Sequence, residues 1–113
     1  MDSVLTSIKK LLGITEEYKQ FDQDLIIHIN SVLMVLTQIG IGPSEGISIQ
    51  DENTTWTDLI PDVSKLEAVK TYVYLKVKMI FDPPTSSSVM DAINRSINEY
   101  EWRLNVNADS SKE

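Results

Sequence analysis

Between Asp22 and Gly40, apolar side chains recur at Leu25, Ile26, Ile29, Val32, Leu33, Leu36 and Ile39. That spacing is the 3.6-residue period of a helix with one broad apolar face. Asp22 reads as its N-cap, Asp24 adds negative charge to the positive first turn, and Gly40 supplies the stop. Ile27, Met34 and Val35 add apolar residues off the main stripe, so this helix is expected to be buried on more than one side and to be the central one.

Three further helices follow from the same reasoning. The first spans Ser3 to Leu12: Val4, Leu5, Ile8, Leu11 and Leu12 share a face, Ser3 caps the start, and Gly13 provides a left-handed stop. It is short enough to need a packing partner. The third opens at Ser64-x-x-Glu67, a capping-box pattern, and carries the stripe Leu66, Val69, Tyr72, Val73, Val77 and Ile80 with Lys65, Lys70, Lys76 and Lys78 available to solvent. Pro83 and Pro84 must end it, because proline excludes the preceding residue from helical conformation. In Thr85-Ser86-Ser87-Ser88 several N-caps precede a fourth helix, whose Val89, Ile93, Ile97, Tyr100 and Leu104 approach a heptad seam. Trp102 lies off that seam. Packing against the core is its expected fate, whereas exposure would mark a contact site.

From Ile41 to Pro61 the helical period vanishes. Gly42-Pro43, Gly46 and Asp51-Glu52-Asn53-Thr54-Thr55 are turn chemistry, and Ile47-Ser48-Ile49 alternates as a short strand would. An extended loop or a small β-hairpin is expected here, anchored at its far end by Trp56 and the turn from Thr57 to Ile60. The fold class is therefore all-α: a four-helix, bundle-like domain with a long loop or small hairpin between helices 2 and 3. With 113 residues the chain holds one domain that buries roughly two-thirds of its unfolded surface. We place that domain at residues 1–104, with a polar tail at 105–113.

Cysteine is absent, which excludes disulfides, thiolate nucleophiles and Cys-based metal centres. His28 is the sole histidine and, set among Ile26, Ile27 and Ile29, is expected to be a partly buried helix residue. The pairs Glu16-Glu17 and Asp51-Glu52 read as solvated surface, and no phosphate-binding loop or nucleophile elbow occurs. No enzymatic activity, cofactor or metal is expected. The N-terminus lacks the order of charges of a secretion signal, and the most apolar window, Leu25 to Ile41, is broken by His28, Asn30, Ser31, Thr37 and Gln38. A soluble protein without a membrane span is expected.

The net charge is -7, from 17 acids against 10 basic residues. No Lys or Arg lies between Lys19 and Lys65, whereas Asp22, Asp24, Glu45, Asp51, Glu52, Asp58 and Asp62 do, so this segment holds the whole excess. Nucleic-acid recognition through phosphate neutralisation needs the opposite sign. The segment is either a solvated loop or a surface that docks on a basic partner or keeps DNA away. An acidic helical inhibitor or regulatory module, mimicking DNA toward a basic partner, is the alternative function; it is weakened by the mixed charge of the last two helices.

Several runs carry a family likeness: Ser7-Ile8-Lys9-Lys10-Leu11-Leu12-Gly13-Ile14, Gln38-Ile39-Gly40, Thr55-Trp56-Thr57-Asp58, the stretch from Thr71-Tyr72-Val73-Tyr74 to Phe81-Asp82-Pro83-Pro84, and Glu99-Tyr100-Glu101-Trp102-Arg103-Leu104. Together they resemble the small head-tail connector (adaptor) proteins of tailed bacteriophages, over almost the entire chain. The resemblance implies a virion subunit, made in the bacterial cytoplasm, that forms a ring of about a dozen copies. Such a ring sits beneath the portal protein and extends the DNA channel toward the stopper and tail-completion proteins. It also implies that the C-terminal region engages the portal. Under it, Glu45, Asp51, Glu52 and Asp58 are candidate channel-facing or docking acids. Phe81, Asp82, Pro83 and Pro84 form a helix-helix corner, and Trp102 and Arg103 brace that corner or serve as an interface.

Overall fold

The computed structural model describes residues 3–41, 46–60 and 63–112. Five helices follow in order: α1 (Val4–Leu12), α2 (Asp22–Gln38), α3 (Trp56–Leu59), α4 (Val63–Phe81) and α5 (Ser87–Lys112). Four are substantial and the fifth, α3, is a single turn. The body measures 43 × 35 × 20 Å, so its thin direction is about two helix diameters.

The first helix forms as its sequence dictates. Ser3 accepts the Thr6 amide at 3.2 Å, and Gly13 takes φ 83° while its amide and that of Ile14 close on Lys10 and Lys9. Val4, Leu5, Ile8 and Lys9 are buried. The buried arc is rotated toward Lys9, which leaves Leu11, expected in the core, 55% exposed at its margin.

Helix α2 buries Leu25, Ile26, Ile29, Val32, Leu33 and Leu36. Its end is a Schellman turn: Gly40 has φ 96°, and the Ile41 amide reaches back to the Leu36 carbonyl at 2.9 Å. Two expectations are corrected here. Asp22 is the first helical residue and not the cap, because its carboxylate is turned to the Lys9 ammonium instead. Burial on more than one side does not occur either, since Ile27 and Met34 are 61% and 58% exposed.

The central helix is α4, which packs against α1, α2, α3 and α5. It buries Leu66, Val69, Tyr72, Val73 and Val77. Ile80, expected on the same stripe, is 49% exposed, level with the start of α2 where its neighbour runs out. Ser64 lies inside the first turn, because the helix begins at Val63. A capping box does occur, one element earlier: Thr55 accepts the Asp58 amide, and the Asp58 carboxylate accepts the Thr55 amide, at the head of α3.

At Phe81-Asp82-Pro83-Pro84 the chain turns from α4 into α5, and Ser86 caps the new helix by accepting the Val89 amide at 3.4 Å. The Phe81 ring meets Phe21 edge-on at 5.2 Å, and Phe21 meets Tyr18 at 5.5 Å, which joins this corner to the entry of α2. Of the seam on α5, Ile97 and Leu104 are buried, Ile93 and Tyr100 pack against the core, and Val89 stays exposed. The helix continues through the residues read as a polar tail, as far as Lys112.

Of the two forms expected between α2 and α4, the loop is found. Among the described residues the only β-type pairing is an isolated bridge between Ser3 and Thr55. Gly42, Pro43, Glu45, Pro61 and Asp62 lie outside the described residues.

Candidate functional site

The long loop is fastened near its middle by Asn30 and at its far end by Trp56. Asn30, which interrupts the apolar run of α2, uses its amide as a strand would use its backbone: Nδ2 donates to the Ile49 carbonyl at 2.9 Å and Oδ1 accepts the Ile49 amide at 2.7 Å. Ile49 itself is 1% exposed. Replacing Asn30 with alanine leaves both buried Ile49 groups unpaired, and a loss of about 2–3 kcal/mol is expected. Urea unfolding of Asn30→Ala checks the size, and Asn30→Asp, which keeps the acceptor, should fall between it and the parent.

At the far end the Trp56 side chain is buried and its Nε1–H donates to Ser7 Oγ at 2.7 Å. Ser7 in turn donates to the Ser3 carbonyl at 2.6 Å, and the Val4 amide donates to the Thr54 carbonyl at 2.9 Å. The expected anchoring role of Trp56 is thus found, and α1 is its partner.

Beneath this lies the only buried charged residue among the described ones. Lys9 Nζ sits 2.8 Å from Asp22 Oδ1 and donates to the carbonyls of Glu16 (3.0 Å) and Tyr18 (2.7 Å). The ammonium donates to two carbonyls and is paired by charge with one carboxylate, so the connection between α1 and α2 is wrapped around it. On the opposite side Tyr72, wholly buried, donates its hydroxyl to Glu101 at 2.6 Å, and Lys76 approaches the same carboxylate at 3.7 Å. Burial, reinforced by Glu101, pushes the Tyr72 hydroxyl far above the ordinary phenol range. This contact fixes α5 on α4.

The candidate acids are now placed. Asp51 accepts the Asn53 amide at 2.8 Å, Glu52 pairs with Lys19 at 2.8 Å, and Asp58 completes the capping box. The bonds from Thr55 hold the Asp58 carboxyl below its usual range, and Glu52 raises Lys19. All three acids are exposed, and Glu52 shares a cleft with Lys10, Glu16, Glu17 and Lys19, so the charge there is mixed. Glu45 lies outside the described residues. His28 is half-buried, as expected. Among the described residues no group of side chains is placed to hold a metal, and no helix is long and apolar enough to cross a membrane.

Among the described residues, apolar side chains stand uncovered on the outer faces of α2 and α5. Ile27 and Met34 of α2 form, with Ile47 of the loop, an open groove of about 630 Å³. On α5, Trp102 is 67% exposed and Val106 41%. The expectation that Trp102 packs on the core is therefore overturned: Ile97 and Leu104 already fill the inward face, and Trp102 points away from both. Neither it nor Arg103 braces the corner, which lies about 22 Å away along the helix; Arg103 pairs with Glu99 on its own helix. Phe81 contacts Phe21 at the corner, Asp82 lies near Lys78, Pro83 is exposed and Pro84 half-buried. The groove could have been suspected from the apolar surplus of α2, whereas the Lys9 and Asn30 clamps join residues far apart in sequence.

Compared with known protein families, residues 4–111 match the model described as phage connector protein. No curated protein and no solved structure matches the chain.

Proposed function

The chain belongs to the phage connector protein family, and we propose that it is the ring-forming subunit placed beneath the portal, where it extends the DNA channel toward the stopper and tail. The observation that carries this reading is the pair of exposed apolar faces on α2 and α5, held on a body whose α1–α2 connection and long loop are fastened by Lys9, Asn30 and Trp56. A monomer gains nothing by leaving Ile27, Met34 and Trp102 in water, whereas a subunit built into an assembly covers them. Its role is structural: it brings surfaces together and performs no chemistry of its own.

In this reading residues 1–104 form the body and residues 105–113, of which 105–112 prolong α5, extend toward the portal. The acids Glu45, Asp51, Glu52 and Asp58 line the channel, where negative charge keeps passing DNA mobile by repulsion. A ring with that loop on its outer rim would contradict the channel role while leaving the assembly role intact. The corner from Phe81 to Pro84 holds α4 and α5 in fixed relation and touches no partner.

The test is mass. Light scattering on a sizing column, for the purified chain alone and after mixing with the portal encoded beside it, should show many copies added to each portal ring. A chain that stays monomeric and ignores the portal would refute the proposal.

A further inference from the structure

The outer faces of α2 and α5 carry matching patterns. Asp24, Ile27, Ser31 and Met34 follow at intervals of three, four and three residues, and all are exposed. Arg95, Asn98, Trp102 and Val106 follow at intervals of three, four and four, and all are exposed as well. At the helical rise each stripe is about 15–17 Å long. Neither Asp24 nor Arg95 has an ion-pair partner among the described residues. Laid parallel, the stripes bring Asp24 to Arg95 at one end, Ile27 to Asn98, Ser31 to Trp102 with Ile27 and Met34 on either side of the indole, and Met34 to Val106 at the other end.

The groove suits an indole. Ile27, Met34 and Ile47 supply apolar walls, and the exposed hydroxyls of Ser31 and Ser48 offer an acceptor to the indole N–H. Both stripes turn away from α4, on which each helix buries its other side, so one chain cannot join its own two faces. A second copy can.

We propose that these faces are the two halves of a head-to-tail contact between copies of this chain, with Trp102 of one copy seated in the α2 groove of the next. The inference rests on the ring reading above and names the surfaces that build the ring. Because the two halves differ, each added copy leaves one half free at either end, and the contact repeats until rotation closes it.

The chain has no cysteine, so disulfide trapping has no background. Ile27→Cys/Asn98→Cys, the pair that faces in this register, oxidised with the portal and without it, should give a ladder of covalent multimers, while each single variant gives none. Trp102→Ala should unfold at the parent temperature, since the side chain is exposed, yet weaken self-association at least about tenfold. If the parent adds many copies to the portal but the double variant gives no ladder and Trp102→Ala assembles normally, this contact is refuted and the ring reading stands. Cross-linking of Ile27→Cys alone would mean a two-fold contact, and loss of portal binding without loss of the ladder would assign Trp102 to the portal; both overturn the inference. A parent that never multimerises, with or without portal, removes the ring reading and this contact together.

Discussion

Lys9→Ala is expected to lower folding stability by about 3–5 kcal/mol, because removing one partner of a buried ion pair leaves the other uncompensated. The ammonium is 3% exposed and the Asp22 side chain 16%, so water cannot replace the lost cation cheaply. The carbonyls of Glu16 and Tyr18 also lose their donor, and the connection from Gly13 to Phe21 loses the point around which it folds. A typical domain has only about 5–15 kcal/mol in total, so much of the protein should be unfolded under mild urea. Lys9→Met/Asp22→Leu, which removes both charges and keeps bulk, should recover most of the loss. A change below about 1 kcal/mol in urea unfolding of Lys9→Ala would mean that the pair behaves as an exposed one.

Trp56→Ala should cost a comparable amount, about 3–5 kcal/mol, through the cavity left by a buried indole. The loss has a local signature as well. Trp56 ties the loop to α1 through Ser7, so hydrogen exchange should quicken at Val4, whose amide bonds Thr54, and across the Thr55–Asp58 capping box. Trp56→Phe keeps most of the volume and forfeits the Nε1–H bond, and should lose about 1–2 kcal/mol. Equal losses in both variants would show that the hydrogen bond, and not the volume, holds the loop.

The contrast between these two sites explains what a reader of the chain can see. The α1 boundaries, the stop at Gly40 and the corner at Pro83 are written locally, since caps and prolines act within four residues. Trp56 as an anchor follows from the size of its side chain amid polar turn residues. Lys9 does not: it occupies an apolar-face position between Ile8 and Leu12, and nothing local says that Asp22, of several acids nearby in sequence, is its partner. Asn30 misleads in the same way, because an amide inside an apolar run looks like an interruption until Ile49 is placed beside it.

The same distinction governs the interaction surfaces. An apolar surplus on α2 was legible, but periodicity alone assigns it to the interior; only the position of α4 against one side shows that Ile27 and Met34 face outward. Trp102 requires the same correction for the same reason. Its neighbours Ile97 and Leu104 use up the inward face, and Glu101, held by Tyr72, fixes the rotation of α5 that turns the indole out. The acids of the middle segment concentrate the charge of the sequence, yet Asp22 pairs with the buried Lys9, Glu52 meets Lys19, and Asp58 serves a cap.

Membership in the connector family fixes the broad role, and the finer role proposed for this chain is assembly as a ring on the portal. Electron microscopy of the purified chain mixed with its portal tests it most directly. End-on averages should show a closed ring of repeated copies, coaxial with the portal and continuing its channel. Portal rings bearing single scattered copies, or none, would contradict it.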